Sequence, residues 1–303
     1  VVKSGEDRAM PTATCNGVEL WYETFGDDDD PPLLLVMGLG AQATAWDTEL
    51  CNAFTDRGFR VIRFDNRDVG LSTKIESAPI DFFATIAKVA AGEPVDAPYR
   101  LSDMAADAVG LLDHLGITAA HVVGASMGGM IAQTIAIEHP ERVLTLTSIM
   151  SNTGNFEYGN ARAEAMAVLL EPAATDRDGA IERSVRASQV IGSPDQFDEE
   201  RARERAAAAY DRCFFPVGIG RQLIGIHASG SREDALRELN VPTLVIHGTD
   251  DPLVEVSGGE RTAELIPGAE LLLVEGMGHD LPQVFWSQIV EAVTRLATKA
   301  AVA

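Results

Sequence analysis

Six apolar runs punctuate this chain, and their order constrains the fold more than any other feature. They are LLLVMG (33–38), FRVIRFD (59–65), AHVVGAS (120–126), VLTLTSIM (143–150), PTLVIHG (242–248) and ELLLVEG (270–276). A short run that is apolar throughout suits a strand buried on both faces, as in a parallel sheet flanked by helices. Helical patterns lie between several of them, Trp46–Arg57 ended by Gly58, Leu101–Leu115 with Ser102 as N-cap and Gly116 as stop, 127–138 and 259–265, and another, 284–297, follows the last. Ahead of them, PTATCNGVELWYETFG (11–26) reads as a hairpin about Asn16-Gly17, a pair that tolerates positive φ. An antiparallel start followed by strand–helix alternation implies an α/β fold: a mostly parallel sheet with helices on both faces.

The alternation fails between 152 and 233. That stretch is helix-like and poor in strands, with segments such as ARAEAMAVLLE and FDEERARERAAAAYDRC. We read it as a helical cap inserted into a core formed by 11–151 and 234–300. Its apolar residues Leu169, Leu170, Val190, Ile191, Phe214, Phe215 and Ile219 are expected mostly to pack, a few to line a pocket. Residues 77–99 read as a second, smaller insertion, and those before Met10 as an extension.

The formal net charge of −22 argues against nucleic acid, whose phosphates need clustered Lys and Arg, and against anionic membranes. The Asp27–Asp30 run reads as a solvated turn. No apolar stretch reaches the roughly 20 residues of a membrane span. Cys15, Cys51 and Cys213 are odd in number and widely spaced, which suits reduced thiols. VVKSGEDRAM lacks the pattern of a secretory signal, so the expected location is the cytoplasm. No metal-ligand spacing occurs, and we expect neither metal nor cofactor. Oligomeric state is not legible.

The chemistry concentrates at Gly124-Ala125-Ser126-Met127-Gly128, a G-x-S-x-G between an apolar strand and an amphipathic helix. On such a sharp turn Gly124 and Gly128 permit close backbone approach, while Ser126 projects at the helix N-terminus, where negative charge is favoured. A serine hydroxyl needs a base. His114, His121, His139, His227 and His247 all have structural readings within or beside regular elements. His279, in EGMGHD after the last strand, lies on a glycine-rich loop at the sheet edge where ligands gather, and it completes the order serine, acid, histidine. The base needs a carboxylate. Asp250 and Asp251 both follow the strand PTLVIHG, whereas the other eligible position, after VLTLTSIM, holds Ser151 and Asn152. Two backbone amides must face a developing oxyanion. Met127, after the nucleophile, is one candidate, and Leu39, in Met37-Gly38-Leu39-Gly40, is the other.

Two rival readings carry less. Gly38-x-Gly40-x-x-Ala43 with Asp65 matches a dinucleotide fingerprint in form, but the acid comes too late and a strand pair precedes it. A non-catalytic binding module would be expected to have lost one of the three chemical groups.

The pieces VMGLG, VIRFDNRDVGLST, VVGASMGGMIAQTIAIEHPERV, LVIHGTDDPLV and EGMGHDLP together resemble the α/β-hydrolase superfamily from Val18 to Ala297. RFDNRDVGLST and the Met-Gly loop are most similar to its aclacinomycin methylesterase branch. The resemblance implies a cofactor-free serine esterase acting through an acyl-serine on a small ester with an apolar part. It also leaves open lactone and carbon–carbon bond hydrolysis and cofactor-free haloperoxidase chemistry. The Gly-x-x-Asp register of similar members, counted from Gly248, selects Asp251 over Asp250 and leaves Asp250 as a turn residue. Met37 stands where the family's His-Gly loop has histidine. The donor there is a backbone amide, so the exchange does not remove it.

Overall fold

The computed structural model describes residues 11–76 and 95–302, with isolated positions between 84 and 93. Most of the expected insertion at 77–99, and the extension before Met10, lie outside the described residues.

Strands β1 (Thr12–Cys15) and β2 (Val18–Phe25) form the hairpin, turning at Asn16 (φ 46°) and Gly17 (φ 79°). Then come β3 (Pro32–Val36), β4 (Arg60–Phe64), β5 (Ala120–Ala125), β6 (Val143–Ile149), β7 (Thr243–Gly248) and β8 (Glu270–Val274). One eight-stranded sheet results, ordered β1-β2-β4-β3-β5-β6-β7-β8. β1–β2 and β2–β4 are antiparallel, and every other pair is parallel.

The continuous apolar runs are explained by which face each residue serves. Leu34, Val36, Ile62, Phe64 and Val122 join one core with helices α2 (Leu101–His114) and α3 (Met127–Glu138). Their neighbours Leu33, Leu35, Val61 and Val123 face the other way. They join a second core with α1 (Thr48–Thr55) and the last helix, Trp286–Ala301. In β3, β4, β5 and β7 successive residues alternate between two buried faces, whereas the edge strand β8 leaves Leu271 and Leu273 exposed and so is not the doubly buried strand its apolar run suggests.

Some helix limits differ from the sequence reading. α1 starts at Thr48 because the Asp47 side chain accepts from the Glu49 amide at 3.0 Å; a 3₁₀ turn, Ala43–Ala45, precedes it. Ser102 does not cap α2. The helix begins one residue earlier, and the Asp103 carboxylate reaches back to the Arg100 amide at 2.8 Å. The last helix follows a 3₁₀ turn, Gln283–Phe285, and so begins at Trp286.

Between β6 and β7 the described chain contains α4 (Ala163–Leu169), α5 (Arg177–Ile191), α6 (Glu199–Arg212), α7 (Pro216–Ser229) and α8 (Glu233–Arg237). Ile181 and Val185 of α5 bury against Ala206 of α6 as a small cluster of their own. The seven apolar residues expected mostly to pack are not buried: Phe214 is exposed and the rest are half-buried. These helices form a thin layer with few fully enclosed positions.

Polar anchors join that layer to loops beyond the sheet's C-terminal edge. Arg221 of α7 forms a bidentate pair with Asp68, 2.8 Å at each contact, and Tyr99 donates to the same carboxylate at 2.7 Å. Arg212 of α6 pairs with Asp65 at 2.7 Å. The amides of Ala43 and Leu71 also donate to Asp65, at 2.7 and 2.8 Å. The carboxylate suggestive of a ribose ligand is thus a buried junction. Helix α9 (Ser257–Leu265) follows β7, and helix α10 (Trp286–Ala301) follows β8.

Candidate active site

The candidate nucleophile sits at the β5–α3 turn with φ 57° and ψ −122°. A non-glycine residue there stores on the order of 1–3 kcal/mol, held by its surroundings. The restraints are visible. The Ser126 amide donates to Ile149 O at 2.9 Å, and Ser126 O accepts from the Gly129 amide at 2.9 Å. A Cβ on Gly124 would come within 2.7 Å of Gly129 N, and one on Gly128 within 2.6 Å of Val36 C. Both positions are closed to any side chain by backbone, not by movable groups. Gly38 is less tightly enclosed: its Cβ would lie 3.1 Å from the Ser126 Cβ, a close contact rather than an overlap.

Three expected residues meet here from distant parts of the chain. Ser126 Oγ is 2.9 Å from His279 Nε2, and His279 Nδ1 is 2.7 Å from Asp251 Oδ2. A carboxylate can only accept, so Nδ1 carries the proton. Nε2 is then the lone pair facing the serine hydroxyl. The His279 side chain is 7% exposed and that of Asp251 is fully buried. The other Asp251 oxygen accepts from the amides of Leu253 and Val254, each at 2.9 Å. The carboxylate is therefore oriented by the turn that follows it.

Asp250 is exposed, bonded through its amide to Met277 O at 3.1 Å and through its carboxylate to Thr249 Oγ1 at 3.2 Å. That is a turn residue's environment. At the end of β6, Ser151 is buried and Asn152 Oδ1 accepts from the Gly154 amide at 2.9 Å.

The remaining histidines have other surroundings. His121 is buried with Nδ1 2.9 Å from Thr145 Oγ1, and burial pushes its pKa down to about 4. His227 lies against Phe156, and burial lowers its pKa as well. His114 lies edge-on to Tyr22, and His139 ends α3. His247 was read as a strand-end residue, yet it backs the site. Its Nε2 donates to Val254 O at 2.7 Å and stands 3.6 Å from Asp251 Oδ2. Burial lowers its pKa, against the opposing pull of Asp251. The imidazole packs behind the carboxylate with its Nε2 proton given to Val254 O, which leaves Asp251 Oδ2 to the His279 N–H.

The Met37–Gly40 loop passes beside Ser126 and is pinned at both ends. Asn66 Nδ2 donates to Met37 O at 2.9 Å, and the Gly40 amide donates to Gln222 Oε1 at 2.8 Å. Gln222, buried on α7, also donates to Arg67 O at 2.9 Å. Sequence reasoning missed this residue. Among the described residues, neither the Leu39 nor the Met127 amide has a hydrogen-bond acceptor. No group of three or more His, Cys, Asp or Glu able to hold a metal occurs among the described residues either.

Comparison with known proteins agrees with this architecture. Rhodomycin D methylesterase of Streptomyces peucetius is 32% identical, over 95% of this chain and all of that protein. The 3-oxoadipate enol-lactonase 2 of Acinetobacter baylyi is 28% identical, over 94% of this chain and 96% of its own. A meta-cleavage product hydrolase from Pseudomonas fluorescens superposes with a TM-score of 0.75 at 23% identity, covering 96% of this chain and 98% of that one. The family model described as the alpha/beta hydrolase fold matches residues 31–282. This chain belongs to the α/β-hydrolase fold family.

Proposed function

We propose that this protein is a cofactor-free serine esterase that cleaves a small carboxylic ester, a methyl ester foremost, through an acyl-serine intermediate. One observation carries the reading: the hydrogen-bonded line from Ser126 Oγ through His279 to Asp251, 2.9 and 2.7 Å, begins at a serine held on a strained strand–helix turn. The 32% identity to a methylesterase along nearly the whole chain favours an ester over other acyl substrates.

In this reading His279 Nε2 takes the Ser126 proton as Oγ attacks the ester carbonyl. Negative charge on the carbonyl oxygen is met by the Leu39 and Met127 amides, two donors that need no reorganisation. Asp251 keeps the imidazole in the required tautomer and stabilises its charged form. Collapse breaks the acyl–oxygen bond, and His279 gives its proton to the departing alcohol. Water then attacks the acyl-serine with His279 as base, releasing the acid and restoring Ser126. Residues 152–233 act as the cap over this site, set on the core of 11–151 and 234–300. Its half-buried apolar residues, such as Ile219 beside Gly40, meet the apolar part of the substrate. The three cysteines are unpaired, and burial pushes Cys15 up to about 11 and Cys51 to about 12. Such inert thiols fit a cytoplasmic enzyme.

The test is a panel of methyl, ethyl and aryl esters and lactones, assayed with the wild type and Ser126→Ala. Methyl esters of bulky apolar acids should be cleaved, and Ser126→Ala should lose on the order of 10⁴-fold or more. Full activity in folded Ser126→Ala, or a panel in which lactones alone react, would reject the reading.

A further inference from the structure

His279 lies in the core part of the sequence, but its main chain is held by the helical insertion. The His279 amide donates to Ile191 O, the last residue of α5, at 2.7 Å. One residue earlier, the Gly278 amide donates to Ser193 Oγ at 2.9 Å. One residue later, Asp280 Oδ1 accepts from Ser193 Oγ at 2.6 Å and from the Ser193 amide at 3.0 Å. The single hydroxyl proton goes to the carboxylate, and an oxygen lone pair takes the Gly278 N–H, so the two bonds are compatible. Ser193 is buried. Two glycines cross at this point. A Cβ on Gly278 would reach 2.6 Å from Ser193 N, and one on Gly192 would reach 2.9 Å from Asp280 Oδ2.

We propose that Ser193 and Asp280 are positioning residues for the imidazole: the clasp they form with Gly278 makes the Ile191–Ser193 segment of the helical insertion the part that sets where His279 stands. This rests on the reading of His279 as the base. The physical argument concerns tolerance. Catalytic side chains must be held within about 0.5 Å and 10–20° of their working geometry, and a glycine-flanked loop cannot do that alone. Asp251 and Ser126 restrain the ring of His279, and the clasp restrains the backbone that carries it. Movement of α5 away from the core would draw the base away from Ser126. Activity and the docking of the insertion are thereby linked through one serine hydroxyl. Neither residue is expected to touch substrate.

The test measures kcat and KM on the best ester of the panel, together with the rate at which a fluorophosphonate labels Ser126. It is applied to Ser193→Ala, Asp280→Ala and Asp280→Asn, each well below its melting temperature. Both alanine variants should lose about 10- to 100-fold in kcat and in labelling rate, with KM within about twofold, the pattern of a base out of place. Asp280→Asn keeps an acceptor oxygen for Ser193 and should restore most of the loss. Wild-type kcat in both alanine variants, a loss confined to KM, or an Asp280→Asn as poor as Asp280→Ala would overturn the proposal. Ser193→Ala removes one oxygen only, so it carries the test if Asp280→Ala does not fold. Retained activity in Ser126→Ala would instead remove the triad reading, a separate outcome.

Discussion

Replacing Gly128 by alanine adds one methyl group where the fold has no place for it. The new Cβ would lie 2.6 Å from Val36 C, 2.9 Å from Met37 O and nearer still to Val36 O, against about 3.4 Å for ordinary contact. All three atoms are backbone, so no rotamer change relieves the overlap. The Ser126 turn and the Val36–Met37 segment must part by roughly 1 Å. Overpacking of this kind costs about 1–3 kcal/mol, well short of the roughly 5–15 kcal/mol that keeps a domain folded. The catalytic cost is larger in proportion. The displaced segment leads into Gly38 and Leu39, and the displaced turn carries Ser126 and Met127. A misplacement of about 1 Å is worth about 10²-fold in rate. We therefore expect Gly128→Ala to melt a few degrees lower and to react with a fluorophosphonate about 100-fold more slowly. Gly17→Ala is the control. Its Cβ would meet nothing within 4 Å, but its φ of 79° imposes strain of about 1–2 kcal/mol far from the site. It should lose stability and keep its rate. A wild-type labelling rate in Gly128→Ala, or an equal loss in both variants, would refute the link between this close approach and the chemistry.

Other expectations follow from single contacts. Asp251→Asn should lose far more kcat than Asp250→Asn, because an amide in place of the buried carboxylate can hold the wrong imidazole tautomer, whereas Asp250 is exposed; steady-state kinetics on two equally stable variants decide it. Gln222→Leu removes the acceptor of the Gly40 amide and the donor to Arg67 O, so kcat should fall about tenfold or more, with a lower melting temperature; unchanged kcat would separate α7 from the proposed oxyanion role of the Met37–Gly40 loop. Burial lowers the folded-state pKa of His121 from 6.5 to about 4, so the unfolded chain takes up the proton first as pH falls. Stability should be full above about pH 6.5 and decline toward pH 4, by at most about 3 kcal/mol from this residue. Denaturant midpoints across that range would show it, and His121→Gln should flatten the slope.

The strands were legible because burial on both faces leaves so little choice of residue: Leu33 and Leu35 serve one core, Leu34 and Val36 the other. The elbow was legible for a related reason, since backbone on both sides of it admits only glycine at 124 and 128. Local pattern failed where partners lie far apart in sequence. Asp250 and Asp251 are equivalent as letters, and only a family register separated them. In the structure the Leu253 and Val254 amides and the imidazole of His279 distinguish Asp251. Ser193 and Gln222 stand in no recognisable motif, and Asp280, although it lies inside EGMGHDLP, has no role that the motif assigns. Their partners, Gly278, Gly40 and Ser193 respectively, are 85, 182 and 87 residues away, distances over which a single sequence carries no signal. Ser102 misled for the opposite reason. It is a good capping residue next to a better arrangement, the Asp103 carboxylate folded back on Arg100.

The most direct test of the central claim is to locate the reactive serine chemically. Incubation of the wild type with a fluorophosphonate, followed by proteolysis and mass spectrometry, should place one adduct on the peptide containing Ser126. Ser126→Ala should take up none, and Asp251→Asn should label far more slowly. An adduct on a different serine, or stoichiometric labelling of Ser126→Ala, would contradict the account.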